Sequence, residues 1–226
     1  DPSVGAIVMT GRGRGYCAGA DMEATFTTRL SGTDPGNDTA GGVGGMPRGL
    51  DWVAFLRDSK PIVCAVNGPA IGIGVTMCLP ADQIVASTAA KFGMGFIRMG
   101  LVPELASTRL LAARVGFGRA SDLCLSGRHV PAAEAHAIGM VNKVVPAAEL
   151  GSATLELARR IAERPSMGLK LAKQAVNQAE DRMGITDSMW TAHSLHVLGH
   201  AHNLNQHGIL VDPAGAAVIR NSKKKQ

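Results

Sequence analysis

The chain is poor in aromatic residues and in cysteine, and it holds no long unbroken apolar run. Phe, Tyr and Trp together make up 4% of its 226 residues. That is too few to interleave with basic side chains as stacking platforms for nucleic acid. A net charge of +5 could suit a polyanion, yet apart from Lys223-Lys224-Lys225 the basic residues are scattered. No basic stripe forms, so a nucleic-acid partner is not expected, and the lysine tail reads as a solvated terminus. The four cysteines, Cys17, Cys64, Cys78 and Cys124, are widely spaced and lie mostly in apolar runs. This pattern argues against a disulfide framework or a zinc site, and reduced thiols in a cytoplasmic protein are the expectation. No apolar stretch approaches the roughly 20 residues that a spanning helix needs, so neither a membrane segment nor a secretory signal is expected.

What the chain does have is small residues in two particular places. Thr10-Gly11-Arg12-Gly13-Arg14-Gly15-Tyr16-Cys17-Ala18-Gly19-Ala20-Asp21 follows the apolar run Ala6-Ile7-Val8-Met9. Asn67-Gly68-Pro69-Ala70-Ile71-Gly72-Ile73-Gly74 follows Pro61-Ile62-Val63-Cys64-Ala65-Val66. Both preceding runs read as buried strands. Small residues at a strand-to-helix turn expose main-chain N–H groups, and a helix start aims such groups outward. Two such turns facing one another would make a two-donor hole for an oxyanion, which is acyl-group chemistry.

In this order and spacing, the two stretches resemble the crotonase superfamily, the enoyl-CoA hydratase/isomerase family. The likeness continues through Ala81-Asp82, Lys91-Phe92-Gly93, Gly100-Leu101-Val102-Pro103 and Ala137-Ile138-Gly139-Met140-Val141-Asn142. It implies an α/β fold, a spiral of ββα units over residues 1–146 that binds acyl-CoA, and a helical trimerisation module over residues 147–226. It also implies that the first strands of the core are missing ahead of Asp1. Homotrimers or paired trimers are the implied assembly, with an acyl-CoA substrate and no cofactor beyond the coenzyme A that the substrate carries. By position in the motifs, the N–H groups of Ala20 and Ile73 match the family's oxyanion donors. Ala18, Gly19, Asp21, Gly72, Thr76 and Phe96 match positions around the substrate. Ile73, where glycine is more usual, keeps its N–H and narrows the space beside the thioester.

The acid/base positions depart from the family. Its hydratases use two glutamates, and the matching positions here are Thr76 and Phe96. Neither side chain is a general base near neutral pH. One carboxylate remains, Glu104, after Gly100-Leu101-Val102-Pro103, where the family's isomerases and some other members carry an acidic residue. Pro103 suits the first turn of a helix and predicts a helix over 103–115 with Glu104 at its start. A single carboxylate suffices for a 1,3-proton shift, so the expected reaction is double-bond isomerisation. Hydration and non-catalytic acyl-CoA binding remain as alternatives.

The other candidates weigh less. Gly13-Arg14-Gly15-Tyr16-Cys17-Ala18 fits a dinucleotide fingerprint, but residues 21–45 are polar and Gly-rich rather than a long amphipathic helix. The Gly-rich part, residues 31–45, reads either as a lid over the acyl chain or as a surface connection. His193, His196 and His200 share a helical face. With Leu195, Val197 and Leu198 beside them and no carboxylate in the turn, an interface helix is expected rather than a metal site. Cys17 reads as a buried thiol. Asp21 reads as a cap on the segment after it. Further helices are expected at 48–57, 72–80, 118–126 and 131–138, strands at 83–87 and 143–145, and helices alone beyond 147.

Overall fold

The computed structural model of the chain describes residues 1–21 and 50–217. Strands β1 (Ile7–Thr10), β2 (Ile62–Val66), β4 (Gln83–Ser87) and β7 (Lys143–Val145) form one sheet in the order β1-β2-β4-β7, with every pairing parallel. A parallel strand covered on both faces needs a continuous apolar run rather than an alternating one, and β2 is buried throughout. Its alternate residues serve two cores. Ile62, Cys64 and Val66 face the main cluster with Leu56, Ile84, Phe92 and Leu111. Val63 and Ala65 face a smaller cluster with Val85, Leu150 and Ala158.

Three short strands form a second sheet. β3 (Pro69–Ile71) runs parallel to β5 (Lys91–Gly93), and β5 runs antiparallel to β6 (His129–Pro131). The chain thus adds β2 to one sheet and β3 to the other, then β4 and β5 likewise. This is the ββ-then-helix spiral that the resemblance implies. These three strands are too short and too mixed in polarity to register as periodic runs.

Helix α1 (Trp52–Asp58) is capped by Asp51, whose Oδ1 accepts from Ala54 N at 2.9 Å. Helix α2 (Ile73–Thr76) is shorter than the expected 72–80. Beyond it, Cys78 N donates to Val75 O and Ala81 N to Cys78 O, tighter i→i+3 bonds that lead through Pro80 out of the helix. Helices α3 (Ser107–Val115), α4 (Phe117–Ser126) and α5 (Ala132–Ala137) come next. The helix expected from Pro103 therefore begins four residues later. Leu105 and Ala106 hold φ of 59° and 54°, and the left-handed backbone there interrupts any helix.

Helix α6 (Leu150–Ala162) lies across the parallel sheet and contributes Leu150 and Ala158 to the smaller core. Helices α7 (Ser166–Arg182) and α8 (Ile185–His207) follow. Lys173 on α7 reaches the core: its Nζ bonds Asp82 Oδ2 and Leu56 O, each at 2.7 Å. No helix of the described residues is long and apolar enough to cross a membrane. The Gly-rich stretch 31–45 and the terminal lysines lie outside the described residues.

Candidate active site

The two small-residue turns are joined to one another. Tyr16 N and Cys17 N donate to Pro69 O at 3.0 and 3.2 Å, and Ile71 N donates back to Cys17 O at 2.9 Å. The approach is close enough that only glycine fits at two positions. A Cβ on Gly68 would stand 2.0 Å from Arg14 O, and one on Gly74 would stand 2.4 Å from Cys17 O. Asn67 fixes the first turn from the second: its Oδ1 accepts from Gly11 N at 3.2 Å, and its Nδ2 donates to Gly13 O at 2.9 Å and Gly15 O at 3.2 Å.

At the mouth of this junction Ala18 and Asp21 are exposed, while Gly19 (φ 103°) and Ala20 are half-buried. Gly72 (φ 57°) precedes α2, and Ile73 opens it, so the Ile73 N–H has no partner within the helix. Among the described residues, neither the Ala20 N–H nor the Ile73 N–H donates to a main-chain acceptor. Thr76 is fully buried, and its hydroxyl donates to Ile73 O at 3.4 Å rather than standing open to a ligand. Any cap that Asp21 makes on residues 22–49 lies outside the described residues. Beneath the junction, burial pushes the Cys64 thiol up to about 12 and Cys78 well above the ordinary thiol range. Both are therefore protonated, inert core groups near neutral pH.

The second sheet links this junction to Glu104. Gly72 N donates to Gly93 O at the end of β5, at 2.8 Å. From there a 3-10 turn, Gly95–Met99, carries Phe96, and Leu101 N returns to Phe96 O at 3.0 Å. Glu104 comes next, on a turn closed by Ser107 N to Glu104 O at 3.2 Å. Positive φ at both Leu105 and Ala106 is the mirror-image turn that Gly and Asn usually make. Non-glycine residues held there cost about 1–3 kcal/mol each, a strain that recurs at functional sites.

Glu104 is not at a helix start, as Pro103 suggested; its neighbour is instead a histidine. Its Oε1 lies 3.1 Å from His196 Nε2, and its Oε2 lies 4.0 Å from His193 Nδ1. The Glu104 side chain keeps 34% of its surface exposed, whereas His196 is 7% exposed. The ring of Phe96 meets the edge of His196 with centroids 6.3 Å apart. Phe96 and Glu104 are thus brought together around a residue that its sequence neighbours assign to an interface. The three histidines at helical spacing were the available signal. Their carboxylate comes from a distant turn, so a search within their own helix does not find it. Two cavities, of about 340 and 240 Å³, lie beside α7 and α8, and the second reaches Val102, two residues before Glu104.

Interleaved sheets, two joined small-residue turns and a C-terminal helical region define an α/β protein of crotonase fold. Comparison with known proteins agrees. The chain belongs to the enoyl-CoA hydratase/isomerase family, whose model matches residues 1–210. It is 38% identical over 184 residues to 1,2-epoxyphenylacetyl-CoA isomerase of Escherichia coli K12, an overlap of 80% of this chain and 67% of that one. It is 34% identical to 2,3-dehydroadipyl-CoA hydratase of the same organism, over 80% of this chain and 67% of the relative. The crystal structure of an enoyl-CoA hydratase/isomerase from Pseudoalteromonas atlantica T6c superposes with a TM-score of 0.77 at 28% identity, covering 100% of this chain and 81% of the other. The chain spans about two thirds of the length of these curated relatives.

Proposed function

We propose that the chain acts on acyl-CoA thioesters as a double-bond isomerase, with Glu104 as the proton shuttle. The observation that carries this reading is the place of Glu104 on a strained turn, hydrogen-bonded to a buried histidine, while the two hydratase positions hold Thr76 and Phe96. The N–H groups of Ala20 and Ile73 take the thioester oxygen. Glu104 removes a proton from the carbon next to the thioester, and the electron pair moves into the enolate that these two donors stabilise. The same carboxyl then returns the proton two carbons further along, and the double bond has moved into conjugation. Losing one oxyanion donor costs about 3–4 kcal/mol in barrier. Gly72 gives the backbone room for the thioester, and Ala18, Gly19, Asp21 and Phe96 lie around the acyl group. The reaction draws on no cofactor beyond the substrate's own coenzyme A, in a homotrimer or paired trimers in the cytoplasm.

Hydration is the second reading, supported by relatives that carry hydratase names, among them one at 34% identity. It would ask one carboxylate to do what two usually do. The test sets 3-enoyl-CoA beside trans-2-enoyl-CoA, with the wild type and Glu104→Gln. Isomerisation of the 3-enoyl substrate is expected, falling about 10²–10⁴-fold in Glu104→Gln while acyl-CoA binding persists. Fast hydration of the 2-enoyl substrate would overturn the isomerase assignment. Binding of both without turnover would point to a non-catalytic acyl-CoA binder.

A further inference from the structure

The surroundings of His196 fix where its hydrogens lie. His196 Nδ1 is 2.5 Å from Val102 O, and His200 Nδ1 is 2.6 Å from Leu210 O. A carbonyl only accepts, so both rings carry their hydrogen on Nδ1. In neutral rings both Nε2 atoms would then be bare acceptors. Yet His196 Nε2 lies 3.0 Å from His200 Nε2 and 3.1 Å from Glu104 Oε1. Three acceptors meeting at hydrogen-bond distance require a proton among them.

Only one location serves both contacts. A proton on Glu104 leaves the two rings facing each other without a hydrogen. A proton on His200 leaves Glu104 against a bare His196 nitrogen. A proton on His196 Nε2 is shared between the carboxylate and the second ring. We propose that Glu104, His196 and His200 form a proton relay in which His196 is an imidazolium held against Glu104. It rests on the assignment of Glu104 as the base. His196 is then a positioning residue: it acts on the reaction through Glu104.

Charge decides how such a relay works. In that arrangement the His196 N–H donates to the Glu104 carboxylate, a charge-assisted hydrogen bond. Its Oε1 is committed to His196, which leaves Oε2 as the oxygen that meets the substrate C–H. When that bond breaks, Oε2–H forms, and the same Oε2 then delivers the proton to the distal carbon. Among the described residues, the groups that face the relay include the Phe96 ring, the Val102 and Leu210 carbonyls, and His193 on the same helix, 4.0 Å from Oε2.

The experiment has two readouts. The first is nitrogen-15 NMR of the histidine imidazoles in the resting protein at pH 8, above the free histidine value of about 6.5. One imidazolium is expected, with Nδ1 protonated in both rings, and Glu104→Gln should abolish the imidazolium signal. Two neutral rings in the wild type would overturn the relay, whatever the enzyme's activity. The second is kinetic. His196→Gln offers Glu104 an N–H but cannot hold a titrating proton. Its kcat is expected to fall about ten- to hundredfold with KM within about twofold, and the acid limb of the kcat/KM profile to move to higher pH. Wild-type kcat and an unmoved profile would overturn the proposal. Should Glu104→Gln retain full turnover, the base assignment fails instead, and the NMR spectrum still reports on the shared proton. If His196→Gln does not fold, the wild-type spectrum alone decides.

Discussion

Asn67 connects sequence to site at the scale of one side chain. Its amide uses three of its hydrogen-bonding positions on the first turn, and its main-chain oxygen accepts from Ser87 Oγ at 2.9 Å. Replacing it with alanine strands Gly11 N and Gly15 O in a part-buried junction. An unsatisfied buried group costs about 1–3 kcal/mol, so Asn67→Ala is expected to lose about 2–3 kcal/mol in urea unfolding. Because Ala20 follows that first turn, turnover of the 3-enoyl substrate should fall further than stability alone accounts for. A variant that loses stability but keeps full activity per folded molecule would show that the first turn needs no such fixing.

At the scale of elements, the two glycines around Ile73 separate two kinds of constraint. A Cβ on Gly72 meets nothing within 4 Å, so only its φ of 57° opposes substitution. A Cβ on Gly74 stands 2.4 Å from Cys17 O, part of the main chain of the facing turn. With ψ at −120° that backbone is one L residues rarely adopt, so Gly72→Ala should cost about 1–3 kcal/mol and leave the turns joined. Gly74→Ala should drive them apart and lower kcat/KM for the 3-enoyl substrate far more than it lowers the melting temperature. Equal effects of the two variants on activity would argue against a hole made by juxtaposed turns. The same elements show what the sequence discloses. Continuous β-branched runs at 62–66 and 83–87 announce parallel strands because burial on both faces admits little else. The paired turns were legible because only small residues permit such approach. The start of α3 was not, because Pro103 carries a strong local preference that left-handed Leu105 and Ala106 override. His196 was missed for a related reason: its partner is set by how α8 packs, not by spacing within α8.

For the molecule as a whole, the helical region has two unlike faces. Its inner face is tied down: Arg57 on α1 meets Asp181 at 2.7 Å, and Lys173 reaches Asp82 beneath α7. Its outer side, among the described residues, keeps large apolar side chains exposed: Trp190 and Leu198 on α8, each 62%, and Leu171 and Val176 on α7. Large apolar groups clustered on one surface mark a place where another protein surface packs. A second copy of this chain is the occupant that a trimer would supply. That face also adjoins the site: the Trp190 ring meets His193 with centroids 6.4 Å apart, and His193 lies 4.0 Å from Glu104. A neighbour docked on α8 would cover the open side of Glu104 and exclude water from the shuttle, strengthening its electrostatics. Assembly and turnover should therefore rise together. Sedimentation at micromolar concentration is expected to give a trimer or hexamer, and Leu198→Glu a monomer. Specific activity of the wild type should fall on dilution through the dissociation range, by mass action, and that of Leu198→Glu should be low at every concentration. A fully active monomeric Leu198→Glu would show that the outer face serves assembly alone, and a monomeric wild type would remove the trimer from the account altogether.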